Sequence, residues 1–208
     1  MSILIKILIF LSISTNVIAK NTWSFDSDNN PIDPIILGNI DSKINIIEYR
    51  SLTCSHCADF SKDGFNYLKE KYIDKGLVSF ELRPFPLNPV DLSAFKLLYC
   101  ADKDDFYNLD KSLLKTQSKW IITNEQEKVL ENSTSALSKQ AALFGISPND
   151  YESCLANEKI TNFILKSRID AVKEHGVNST PSFVINGELY AGNLSNDRID
   201  EILKNYLD

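Results

Sequence analysis

The spacing of apolar residues shifts along this chain between strand-like and helix-like periods, and each shift marks an element. Ile44-Asn45-Ile46-Ile47-Glu48-Tyr49 is a β-branched, apolar run that predicts a strand over residues 44–50. Phe60, Phe65, Leu68 and Tyr72 then recur at near-helical intervals, with Gly76 as a C-terminal stop. Leu77-Val78-Ser79-Phe80-Glu81-Leu82 predicts a second strand, ended by Pro84 and Pro86. A right-handed crossover between parallel strands is the strong default for such a unit. From Val90 to about Val177 the pattern is helical. Asn124 with Glu127 resembles a capping box, Gly145 closes one segment, and Ser147-Pro148-Asn149-Asp150 opens the next with Pro148 in its first turn. Ile160, Phe163, Ile164, Ala171 and Val172 share one face of a longer helix that stops at Gly176. Ser182–Ile185 and Glu188–Tyr190 flank Asn186-Gly187, a hairpin signal. Ser195 caps a last helix with the stripe Ile199, Ile202, Leu203, Tyr206 and Leu207.

The opening of the chain changes where this fold is expected to work. Residues 1–19 carry one charge, Lys6, then Ile7–Leu11, and end in Val17-Ile18-Ala19, the pattern of a secretory signal peptide cut after Ala19. An uncleaved anchor is the alternative. Ser12, Ser14, Thr15 and Asn16 keep the apolar core below the roughly 18–20 residues of a spanning helix. No Cys follows the cut, which argues against a lipid anchor. Export places the chain where disulfides persist. Residues 20–43, polar and holding Pro31 and Pro34, read as a loosely structured lead-in. The formal charge of −6 becomes −7 without Lys6, and Lys and Arg form no cluster, which argues against nucleic acid or anionic lipid as partner.

Chemistry concentrates in Cys54-Ser55-His56-Cys57, which follows the first strand at a predicted strand-to-helix turn. Two thiols at this spacing can close into a disulfide, and the helix start favours a thiolate on the first. The same spacing also serves zinc. Further ligands would have to come from His56, His175, Cys100 and Cys154, with no second Cys-x-x-Cys. Haem attachment needs a His where Ala58 stands. A redox pair without metal or cofactor is therefore favoured. His56 can support the Cys54 thiolate by charge or hydrogen bonding, or can be a helix-start residue without a role. Glu48 lies inside an apolar strand; buried, it would have a raised pKa, and the alternative is a solvent-facing glutamate. Cys100 and Cys154 suit a second, structural disulfide in an oxidising compartment, the alternative being two buried free thiols.

Strand, helix, strand, then hairpin and helix is the order of the thioredoxin fold, an α/β architecture, here with an all-helical insertion between the βαβ and ββα halves. Residues 44–89 and 177–208 would form the thioredoxin-fold part and residues 90–176 the insertion. Four features make residues 40–208 resemble the DsbA family of exported thiol–disulfide oxidoreductases. They are Cys54-Ser55-His56-Cys57, Arg83-Pro84-Phe85-Pro86-Leu87-Asn88, the helical insertion, and Thr180-Pro181-Ser182-Phe183. The resemblance implies a nucleophilic Cys54 with Cys57 as its partner, and a cis Thr180–Pro181 bond beside them. It also implies an acidic residue at Glu48 that relays a proton for Cys57. Ser55 and Thr180, where Pro and Val are common, would tune potential and partner choice. Thr180 is also shared with related isomerases, whose N-terminal dimerisation segment the roughly twenty residues before the first strand cannot supply. The resemblance implies a monomeric periplasmic oxidase acting on exported proteins with free cysteine pairs and reoxidised by a DsbB-type membrane quinone oxidoreductase. A disulfide isomerase or reductase, or an exported metal-binding thiol protein, are the alternatives.

Overall fold

In the computed structural model, which describes residues 21–207, five strands form one mixed sheet. They are β1 (Ile36–Gly38), β2 (Ile44–Arg50), β3 (Val78–Pro84), β4 (Ser182–Ile185) and β5 (Glu188–Ala191), in the order β1-β3-β2-β4-β5. β2 runs parallel to β3 and antiparallel to β4, so Ile46 stands between Phe80 and Ile185. The two-residue period sends Ile44, Ile46, Glu48 and Arg50 of this central strand to one face, and all four are buried.

The helices are α1 (Ser55–Lys62), α2 (Gly64–Leu68), α3 (Pro89–Leu98), α4 (Phe106–Lys115), α5 (Gln117–Trp120), α6 (Val129–Ala142), α7 (Pro148–Leu155), α8 (Glu158–His175) and α9 (Asn196–Leu207). One apolar cluster joins the face of β2 that carries Ile44 to helices α1 through α9, with Phe60, Phe80, Phe95, Phe106 and Trp120 at its centre. Trp120 is wholly buried, and its indole N–H donates to the Leu113 carbonyl at 2.8 Å. A smaller cluster of Tyr49, Phe85, Ala171, Val177 and Val184 fills the other face beneath the end of α8. Gly64 lets α2 approach α1, since a Cβ there would stand 2.6 Å from the Phe60 ring.

The locally encoded signals take their expected forms. Ser147 Oγ accepts the Asp150 N–H, Gly176 ends α8 at φ 69°, and Asn186-Gly187 turn at φ 48° and 90°. Ser195 Oγ accepts the Arg198 N–H at the start of α9. Four expectations are corrected. The polar lead-in is ordered: β1 pairs antiparallel with β3 at the sheet edge, and Trp23 packs edge-on against Tyr99. The helix near Asn124 begins only at Val129, after a 3₁₀ turn, and Lys128 caps it with no side-chain bond. Val172 and Leu207 face solvent, each one position round from the buried stripe of its helix. The predicted helix after the Cys pair is broken at Asp63 and ends in a π-turn, Lys69–Ile73. The expected signal peptide or anchor lies outside the described residues. Among those residues no helix is long and apolar enough to cross a membrane.

Cys100, just after α3, is disulfide-bonded to Cys154 in α7, with their Cα atoms 5.7 Å apart and a sequence separation of 54. Closing a loop of that length is worth about 4 kcal/mol in the chain-entropy model. Replacing both cysteines with Ala is expected to lower the urea unfolding free energy by about that amount. An unchanged midpoint would show that the bond does not measurably restrain the unfolded chain.

Candidate active site

Beyond β2 the chain turns through residues 51–54 into α1, and side chains from the helical segment hold that turn. Asp91, in the first turn of α3, is buried and accepts hydrogen bonds from Ser51 Oγ (2.6 Å), the Leu52 N–H (2.8 Å) and the Leu87 N–H (2.8 Å). Gln117, at the start of α5, donates through Nε2 to the carbonyls of Leu52 (2.8 Å) and Cys54 (3.0 Å). Side chains from α3 and α5 thus satisfy the Leu52 N–H and the Leu52 and Cys54 carbonyls of the turn.

The turn sets the two sulfurs in unlike surroundings. Cys54 is the extended N-cap of α1, with φ −86°, and is half-buried. Cys57, one helical turn further, is wholly buried. The S–H of Cys57 donates to Cys54 and holds that thiol down to about 5, aided by the Thr180 side chain and the backbone N–H groups of Cys57 and His56 and opposed by partial burial. Burial pushes the Cys57 thiol far up, reinforced by its bond to Cys54 and by the nearby Glu48 carboxylate. Cys54 Sγ lies 3.3 Å from the carbonyl oxygen of Thr180, and the Thr180–Pro181 bond is cis. A residue distant in sequence therefore faces the outer sulfur.

Glu48 is fully buried on the same face of β2 as Arg50. Its Oε1 accepts from Arg50 Nε at 2.8 Å and its Oε2 from Nη2 at 2.5 Å, while Arg50 Nη1 donates to Asp110 Oδ2 on α4. Burial raises the Glu48 carboxyl against the pull of Arg50. Ser55 and His56 are exposed. The His56 ring turns to Asp59, with Nδ1 3.8 Å from its carboxylate, so it is the backbone N–H of His56 that reaches Cys54.

The structure thus brings together Cys54, Cys57, Glu48, Thr180 and Pro181, and joins Cys100 to Cys154 elsewhere. Sequence reasoning did not single out Arg50, Asp91, Asp110 and Gln117. Arg50 had a local signal, a second charge two residues beyond Glu48 and so on the same strand face. The other three had none, because their partners in residues 50–54 lie 39 to 65 positions away. Among the described residues no group of three or more His, Cys, Asp or Glu is arranged to hold a metal ion.

A family model described as Thioredoxin matches residues 30–205. A Rickettsia bellii protein named as a protein-disulfide oxidoreductase is 34% identical over 89% of this chain and 68% of its own length. A Rickettsia conorii protein of the same designation is 35% identical over 85% of this chain and 60% of its own length. The chain therefore spans 60–68% of the length of these two relatives. The crystal structure of Wolbachia pipientis alpha-DsbA1 superposes with a TM-score of 0.75 at 26% identity, covering 86% of this chain and 96% of that one. Oxidised BdbD of Bacillus subtilis, at 21% identity and a TM-score of 0.67, covers 91% and 99% and shares the fold.

In the reduced protein, alkylation of Cys54 is expected to follow a thiolate titration centred near pH 5, while Cys57 stays unreactive. Cys57→Ala removes the S–H donor and should move that titration upward, as read from the pH dependence of the alkylation rate. An unmoved titration would assign the effect to the Thr180 side chain and the helix-start N–H groups. Gln117→Leu leaves the Leu52 carbonyl without its donor and the Cys54 carbonyl with the Ala58 N–H alone, and is expected to cost about 1–3 kcal/mol on thermal or urea unfolding.

Proposed function

The chain belongs to the DsbA-like thiol–disulfide oxidoreductases of the thioredoxin superfamily, and from that premise we propose that it introduces disulfide bonds into exported proteins in the periplasm. The observation that carries this reading is the inequality of the two sulfurs. A thiolate held down to about 5 on Cys54 stabilises the reduced enzyme, and whatever stabilises the reduced form makes the disulfide form a stronger oxidant.

In the oxidised enzyme a client thiolate attacks Cys54 Sγ. The Cys54–Cys57 bond breaks, its electron pair leaves on Cys57, and that buried sulfur takes a proton. A second client thiolate then attacks the client sulfur of the mixed disulfide and displaces Cys54 as a stable thiolate. The client has lost two electrons and the enzyme has gained them. Thr180 and Pro181 lie where a client strand would pass Cys54, and exposed Ser55 and His56 border the approach. The electrons leave to a DsbB-type membrane quinone oxidoreductase, a partner suggested by the family resemblance, as are the periplasmic site and a monomeric state.

A second reading, disulfide isomerase, is favoured by one feature. Thr180 supplies a hydroxyl beside the cis proline, close enough to Cys54 to help hold its thiol down. The two readings separate at equilibrium with glutathione. An oxidase requires a potential well above the roughly −200 mV of glutaredoxins, and a value near the roughly −270 mV of thioredoxin would sink the proposal. Cys54→Ser should abolish oxidation of a reduced, unfolded client. Efficient refolding of a scrambled-disulfide client would instead favour the isomerase.

A further inference from the structure

We propose that Asp110, rather than Glu48, is the carboxyl of the buried Glu48–Arg50–Asp110 cluster that takes up and releases a proton, so that the charge beneath the thiol pair is set from α4. The inference rests on the thiol–disulfide reading and does not depend on whether the enzyme oxidises or isomerises.

The hydrogen-bond inventory carries it. All three side chains are buried, with exposures of 0% for Glu48, 1% for Arg50 and 2% for Asp110. One guanidinium between two carboxylates leaves a net negative charge in a dry core unless one carboxyl holds a proton. Both oxygens of Glu48 accept bonds from the Arg50 fork, so a proton on either would strand a buried donor. Asp110 uses only Oδ2 toward Arg50, and its Oδ1 is buried with no partner. A proton on that oxygen neutralises the cluster and disturbs no bond.

The surroundings are consistent with this assignment. Asp110 is faced by Arg50 and Glu48 from β2, by Tyr107 of its own helix, and by Tyr99 beyond α3. Cys54 and Cys57 of the α1 turn face Glu48 and Arg50 in turn. Burial raises both carboxyls, Asp110 to about 6. Two-electron reduction of the Cys54–Cys57 bond by a client dithiol places one proton on Cys57 and leaves Cys54 as thiolate. That new negative charge raises the proton affinity of the cluster, drawing part of a second proton onto Asp110. Reoxidation hands both electrons to the acceptor and releases the same protons. Asp110 acts through Arg50 and Glu48 on the sulfurs and touches no substrate, so it is a positioning residue.

The decisive measurement uses the intact wild-type chain. Difference infrared spectra of the reduced protein between about pH 5 and pH 8 should contain the C=O stretch of a protonated, buried carboxyl. The band should shift when aspartate is carboxyl-¹³C labelled and stay when glutamate is. Asp110→Asn should remove the labelled component. A band that follows the glutamate label overturns the proposal, and so does one that Asp110→Asn leaves undiminished, which would assign it wholly to Asp91, a buried carboxyl also raised to about 6. Absence of any such band would show that both cluster carboxyls are ionised, and overturns it equally. A second readout is the equilibrium constant with glutathione. Asp110→Asn should match wild type near pH 5, where Asp110 is protonated. Toward pH 8 it should favour the reduced form by up to about tenfold, the effect of one pKa unit of coupling. A merely structural loss would shift both ends alike. A low potential in wild type would overturn the oxidase reading and leave the infrared result standing.

Discussion

One helical turn separates Cys54 from Cys57, and across it the chain passes from half-exposed to wholly buried. That gradient of hydration is the constraint on which the rest depends. A thiolate is tolerable where helix-start N–H groups and a neighbouring S–H meet it, and costly a turn further in, where no water reaches. The direction of attack follows. Only the outer sulfur is accessible, and only it makes a stable leaving group. The fold's task is to hold that turn of helix at the edge of the core, and the placement of β2 does so. As the central strand it is hydrogen-bonded on both sides, so the residues that follow it emerge from a restrained backbone.

The turn after β2 is not secured by the sheet alone. Asp91 of α3 binds Ser51 and Leu52, Asp110 of α4 binds Arg50, and Gln117 of α5 binds the carbonyls of Leu52 and Cys54. Three successive helices of the inserted segment each send one polar side chain to residues 50–54. That segment is therefore part of the machinery that shapes the thiol pair as well as a cover over it. The Cys100–Cys154 bond fits the same logic, since it ties the end of α3, which carries Asp91, to α7.

What was legible in the sequence follows from the range of the interactions. The hairpin at Asn186-Gly187, the cap at Ser147, the stop at Gly176 and the thiol spacing are set by residues within a few positions of one another, and each leaves a local pattern. β1 left almost none: three residues after two prolines, held by antiparallel pairing to β3 and by Leu37 against the core. The capping-box pattern at Asn124 and Glu127 was present, yet a 3₁₀ turn intervened and the helix began later. At the site the cysteines, Thr180 and Pro181 could be read because their types are chemically distinctive. Asp91, Asp110 and Gln117 could not, because a carboxylate or amide on a helix is ordinarily a solvated one. Nothing local distinguishes the few that turn inward.

The buried cluster also explains why a charged pair occupies a strand that packing alone would fill with Ile or Val. Replacing a buried ion pair with well-packed apolar groups is often neutral or stabilising, whereas removing one partner costs about 3–5 kcal/mol. Stability alone therefore gives Glu48 and Arg50 little advantage over two aliphatic residues. What an apolar pair could not supply is a negative charge fixed near Cys57, which adds to burial in keeping that sulfur protonated in the reduced state. Nor could it supply a guanidinium that orients the carboxylate by a two-point fork. The second carboxylate on α4 then becomes intelligible. It makes the cluster's charge adjustable and leaves the fork intact, and so links the state of the sulfurs to a helix that neither cysteine occupies.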